Sequence, residues 1–215
     1  VVKALQTWIR GIDAAKLENQ HLLLEALWVH QWIDVVNEPL LTTLLKSPQA
    51  EARAAATRLI GIWRDRLASP LDLLQIAVED THPLVRLEAV RGASFFKGKQ
   101  ATQVALSILQ HPRDYYLDYA LGETMRTLSP SPSDIDVEKN PKALGYVLAK
   151  MTREQLLAAP RVESVLEALL EREGINALDR DKAATELAAI KKTTREIELI
   201  GALVRMDAKE VKSST

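Results

Sequence analysis

One spacing constrains this chain more than any other feature. Residues 48–63 read PQAEARAAATRLIGIW and residues 81–96 read THPLVRLEAVRGASFF. Arg53 and Arg86 stand 33 residues apart, as do Arg58 and Arg91, Ala56 and Ala89, Ile60 and Ala93, and Trp63 and Phe96. A helical unit that recurs at such a period does not bury its apolar stripe alone; copies of it cover one another by stacking. The first copy shows the stripe directly. Ala52, Ala55, Ala56, Leu59, Ile60 and Trp63 fall at i, i+3, i+4, i+7, i+8 and i+11, which is one side of an α-helix. The expected fold is therefore all-α, an α-α superhelix of stacked helix pairs.

Proline marks out the pairs. Glu38-Pro39, Ser47-Pro48, Ser69-Pro70, His82-Pro83 and His111-Pro112 each read as a turn or a helix start. The sequence between them predicts a short helix, a turn and a long helix three times over, in 38–67, 70–98 and 100–128. Residues 1–37 are expected to be N-terminal helices capping the stack. Residues 129–140 (SPSPSDIDVEKN) form a Pro/Ser/Asp-rich loop, the best candidate for a break. Residues 141–208 read as C-terminal helices continuing the stack, and 209–215 as a frayed tail.

Composition bounds the chemistry. Of 215 residues, 28 are basic and 29 acidic, for a net charge of −1. That balance gives no electrostatic basis for binding nucleic acid or anionic membrane in bulk. The chain has no Cys, which removes disulfides, thiolate nucleophiles and Cys-held metals. The longest apolar run, 22–29, is broken by Glu25 and is too short to span a bilayer. The first residue is Val1, and the chain reads as a piece of a longer protein.

No residues converge on a catalytic or metal site by pattern, so no catalytic residue, cofactor or metal is expected in this chain. His21 and Glu25 are four apart and His30 lies between Trp28 and Trp32, but two His without further ligands fall short of a metal set. His82 and His111 precede Pro and read as turn residues. Trp28, Trp32 and Trp63 read as core. Arg53 and Arg86 read as inter-repeat structural residues, pairing with backbone carbonyls or with acids such as Asp80 and Asp114. Arg58 and Arg91 serve equally well as structure or as a basic ladder for a partner, with Glu88, Asp118 and Glu123 interrupting the stripe. Tyr115, Tyr116 and Tyr119 are candidate protein-binding residues with Arg58 and Arg91, since Tyr offers area with a polar tip. The plainer account, weighted first, buries one or two of these tyrosines with their hydroxyls hydrogen-bonded.

The words at Pro83–Ala93 (PLVRLEA and beyond), and their degenerate copy around Arg53, resemble the HEAT repeat. The longer stretches HLLLEALWVHQWIDVVNEPLL (21–41), RAAATRLIGIWRDR (53–66), HPLVRLEAVRGASFF (82–96), DYYLDYALGETMRTL (114–128) and LLAAPRVESVLEALLEREGI (156–175) resemble the HEAT region of large planctomycete-type multidomain proteins. Those proteins combine a membrane-bound dehydrogenase domain, this helical region and a haem-binding c-type cytochrome domain. The resemblance implies a HEAT-like α-solenoid in a periplasmic or extracytoplasmic protein, whose parent is an oxidoreductase. The Cys-x-x-Cys-His haem motif is absent from this stretch, so nothing about haem ligation carries over.

Two functions fit. One is a non-catalytic scaffold or protein-interaction module, linking dehydrogenase-like and cytochrome c domains. Its partners are other domains of the parent chain or another protein, without membrane contact. The other is a DNA-binding or DNA-glycosylase-type enzyme on HEAT-like repeats. That one requires a basic groove holding an aromatic and a carboxylate, which the net charge and the acids of the third long helix disfavour.

Overall fold

Proline and short polar caps start the helices where the sequence places them. A computed structural model describes residues 1–136 and 140–213, without the side chains of 141 and 209–213. The fold is all-α, and no strand occurs among the described residues. The chain divides into two compact units, Val1–Pro130 and Ser131–Thr215.

The N-terminal unit holds α1 (Val2–Arg10), α2 (Gln20–Trp32), α3 (Glu38–Leu44), α4 (Ala50–Ile62), α5 (Pro70–Val78), α6 (Pro83–Ala93), α7 (Lys99–Ser107) and α8 (Tyr115–Leu128). Pro39, Pro70 and Pro83 sit in first turns, where an absent N–H costs nothing. Asn37 caps α3 by accepting from the Leu40 amide at 3.1 Å, and Asp114 caps α8 by accepting from Leu117 at 2.8 Å. His82 caps α6 through Nδ1, at 3.3 Å from the Leu84 amide.

The pairs α3/α4, α5/α6 and α7/α8 stack, with α4 against α6, α6 against α8, and α5 against α7. Small residues line the seam. Ala52, Val85 and Leu117 are buried at matching positions, as are Ala56, Ala89 and Leu121. Gly61 lets the next repeat come close, since a Cβ there would stand 2.7 Å from the Phe95 ring. Trp63 closes the first stripe at 1 % exposure.

The period reaches further towards the N-terminus than the three pairs. Leu23, Leu24, Ala26, Leu27 and His30 of α2 are buried, and their counterparts 33 residues on, Ala56, Thr57, Leu59, Ile60 and Trp63, are buried too. Helix α2 packs on α3 and α4 and so occupies the place of a preceding long helix. This register overturns the expectation that Trp28 and Trp32 are core. Trp32 is 87 % exposed and Trp28 41 %, because the buried side of α2 is the Leu23–Leu27–His30 side. His30 is fully buried instead. Its Nδ1 lies 3.1 Å from the Val35 carbonyl and its Nε2 3.0 Å from the Asn37 side-chain amide. With the amide donating to Nε2, Nδ1 carries the proton and donates to Val35, which pins the end of α2 to the start of α3.

The C-terminal unit holds α9 (Pro141–Lys150), α10 (Arg153–Ala158), α11 (Glu163–Glu171), α12 (Ala177–Lys191) and α13 (Arg195–Ser213). Helix α11 lies against both α12 and α13, and α12 against α13. Its core is aliphatic: Leu156, Val165, Leu166, Leu169, Ala183, Ala184 and Leu187 are sealed from solvent. Before α9, a short 3-10 helix covers Pro132–Asp134 within the expected loop, whose residues 137–139 lie outside the described residues. Helix runs to Ser213 through the stretch expected to fray, and residues 214 and 215 lie outside the described residues.

Candidate interaction surface

Two repeating arginines close the turns of the stack. Arg53 donates from Nη1 to the carbonyls of Ser47 at 2.8 Å and Pro48 at 3.3 Å. Arg86 repeats this, donating from Nη1 to the carbonyls of Asp80 at 2.8 Å and Thr81 at 2.9 Å. Each then reaches the next turn. Arg53 donates to both carboxylate oxygens of Asp80, at 2.7 and 2.9 Å, while Arg86 meets the Pro112 carbonyl at 3.5 Å. Asp114, the other acid considered as a partner, is the cap of α8.

Asp80 is therefore held from several sides. Burial alone would push its carboxyl up; the Arg53 guanidinium and the His82 amide, which donates at 2.8 Å, outweigh that and hold it below the usual carboxylate range. The hydrogen bond to Asp80 raises Arg53 in turn. The short helices carry a second ladder. Gln100 donates to Asp72 at 3.3 Å, Gln75 to Ser107 at 3.3 Å, and His111 Nε2 lies 2.6 Å from Glu79.

The remaining predicted residues lie at the surface. Arg58 is exposed and makes no ion pair among the described residues. Arg91 is exposed and donates to Glu88 at 3.2 Å. Tyr115, Tyr116 and Tyr119 are 75 %, 70 % and 61 % exposed, so the account that buries one or two of them is overturned. Helix α8 begins at Tyr115 and turns Leu117 and Leu121 inward, which leaves the tyrosines on the solvent side. They pack on one another, Tyr115 edge-on to Tyr116 at 5.6 Å between ring centres and stacked on Tyr119 at 6.5 Å. Nearby, Arg113 donates to Asp118 at 2.6 Å and Arg126 to Glu123 at 2.8 Å.

One row was not legible from the residue types. Val29, Ile62 and Phe95, again 33 apart, are 36 %, 41 % and 44 % exposed on α2, α4 and just beyond α6. The Arg64 guanidinium lies 5.8 Å from the centre of the Phe95 ring. The signal was present as a continuation of the period to α2, but the all-round apolar character of 22–29 concealed which side faces inward.

Among the described residues, no group of three or more His, Asp or Glu is placed to hold a metal ion. His21 and Glu25 form only an exposed pair at 3.5 Å. No described helix is long and apolar enough to cross a membrane. In the C-terminal unit an open groove of about 490 Å³ is lined by Pro132, Leu144, Pro160 and Val162 with Glu163 and Glu167. Both carboxylates are engaged by Lys191.

No curated protein and no solved structure matches the chain. Residues 37–126, which span α3 to α7 and nearly all of α8, match the family model for HEAT repeats.

Proposed function

We propose that this chain is a non-catalytic scaffold that docks protein segments on the exposed side of its stacked helices. HEAT repeats are helical scaffolds or interaction modules, and the match at 37–126 supports that class. The observation that carries the reading is the aligned, solvent-exposed row of Val29, Ile62 and Phe95. A regular stack presents such a row at fixed intervals, and exposed apolar side chains in register are what a docked chain covers.

The finer reading places the chain between a dehydrogenase-like domain and a cytochrome c domain of a periplasmic or extracytoplasmic parent. The likeness of 21–41, 82–96, 114–128 and 156–175 to such proteins supports it. Reading the gene on both sides tests it. A Cys-x-x-Cys-His motif and a dehydrogenase-like domain in the same open reading frame are expected; a frame lacking both overturns the linker role.

The alternative, a DNA reader on the same repeats, is separated by duplex binding. It demands affinity that falls steeply with salt. The scaffold reading expects no such binding, because Glu88 and Glu123 stand on the same helices as Arg91 and Arg126 and engage them.

A further inference from the structure

Building on the docking role above, we infer that the face of α2, α4 and α6 binds an acidic, extended polypeptide segment whose apolar side chains recur at every third residue. The spacing of the row sets the period of the ligand. Successive helices of a stack lie about 8–10 Å apart. An extended strand rises about 3.3 Å per residue. A strand crossing the three helices therefore meets Val29, Ile62 and Phe95 with one side chain in three.

The charges beside the row set the sign of the ligand. Arg58 and Arg91 stand one helical turn before Ile62 and Phe95, on the same side of their helices, and both are exposed. Arg64 reaches over the Phe95 ring. The acids close by are already engaged: Glu88 accepts from Arg91, Asp65 lies 3.6 Å from Arg64, and Glu25 lies 3.5 Å from His21. Arg58 has no carboxylate partner among the described residues, and the Arg91 fork keeps donors beyond the one given to Glu88. The residues of a strand that lie between its apolar anchors fall beside these guanidiniums, and carboxylates there complete the pairing.

A peptide fits this face better than a nucleic acid. Two of the three apolar positions are aliphatic and offer no ring on which bases stack. Glu88 next to Arg91 opposes a phosphate chain along its whole length, whereas a peptide places its carboxylates selectively.

Fluorescence anisotropy with the full chain tests this. The probe is a labelled peptide of three Asp-Glu-Leu repeats. Its comparisons are a peptide of the same composition with the leucines contiguous, one of three Lys-Lys-Leu repeats, and a short DNA duplex. Saturable binding of the first peptide is expected, weakened about tenfold or more by Arg58→Glu with Arg91→Glu and likewise by Ile62→Ser. All three positions are exposed, and an unchanged circular-dichroism melt confirms that the variants fold. Absence of saturable binding, binding unmoved by both variants, or equal affinity for the contiguous-leucine peptide overturns the inference. Preference for the Lys-rich peptide overturns the charge of the ligand and leaves the docking role standing. Tighter, steeply salt-dependent binding of the duplex, lost in the double Arg variant, overturns the inference and the docking role together.

Discussion

The two units hold helix to helix by different means. In the N-terminal unit the ties recur with the repeat. Arg53 and Arg86 occupy the same position in α4 and α6, and each donates to the carbonyls six and five residues before it. In the C-terminal unit the ties are single. Lys191, at the end of α12, meets Glu163 at 3.3 Å, Glu167 closely, and Glu198 at 3.7 Å, joining α12 to α11 and α13. Arg172 donates to the carbonyl of Leu148 at 2.5 Å and closes the end of α9. A recurring tie lets each repeat be exchanged or extended, because the same atoms meet at every turn. A single tie fixes one arrangement of three helices and no other. The cores differ in the same sense: alanines in register line the seam of the stack, while leucines fill the C-terminal unit.

The largest test of this contrast is Trp63→Ala. Trp63 is sealed at the end of the first long stripe, and its loss should cost about 3–5 kcal/mol. Chemical denaturation followed by circular dichroism should then show the N-terminal unit melting early while α11–α13 persist. Loss of both units in one early transition would refute a division of labour between them. Next comes Asp80→Asn. It breaks a bidentate pair whose side chains are 16 % and 14 % exposed and leaves Arg53 short of a charge, for a loss of about 2 kcal/mol. The depressed carboxyl fixes the sign in pH. Its contribution is complete above the ordinary value of 3.8 and fades as pH falls through the lower folded value. The variant should therefore be less stable at neutral pH and lose less on acidification than the parent. Third is Asp114→Ala, which removes only the cap of α8, at a cost of about 1 kcal/mol. Should it equal Asp80→Asn in denaturant, the second and third turns would be tied alike, against the geometry.

How far the sequence led follows from this difference. The stack was legible because its period fixes which residues are equivalent, and Ala52, Ala56, Leu59, Ile60 and Trp63 are all buried as the stripe requires. The stripe also included Ala55, which is only half-buried and marks its edge. Trp28 and Trp32 were misplaced because residue type was weighed above register. Helix α2 is apolar nearly all round, so only alignment with α4 reveals that Val29 and Trp32 face outward while His30 faces inward. The three tyrosines failed for a related reason: side-chain size argues for burial, yet their position against Leu117 and Leu121 puts them in solvent. Arg172 and Lys191 left no trace in the sequence, since a tie made once has no second copy to mark it.

The smallest effect belongs to Lys191. Its ammonium is about a quarter exposed, so solvent screens it, and Lys191→Met should cost no more than about 1 kcal/mol. Its direction in pH is what separates the units. The hydrogen bond to Glu167, followed by that to Glu163, raises Lys191 above its ordinary 10.5 against the opposing effect of burial. A raised ammonium contributes fully below its ordinary value and ceases to as pH climbs through the folded one. Alkali should therefore weaken the tie among α11, α12 and α13. The Arg53–Asp80 clamp should hold there, because a guanidinium keeps its proton. Amide hydrogen exchange, compared between mildly alkaline and strongly alkaline solution after correction for intrinsic rates, should show protection falling first in α12 and the start of α13. The Lys191→Met chain should show no such step. Equal loss in α4 and α6 would mean that the pairing of Lys191 with its three glutamates does not distinguish the C-terminal unit from the stack.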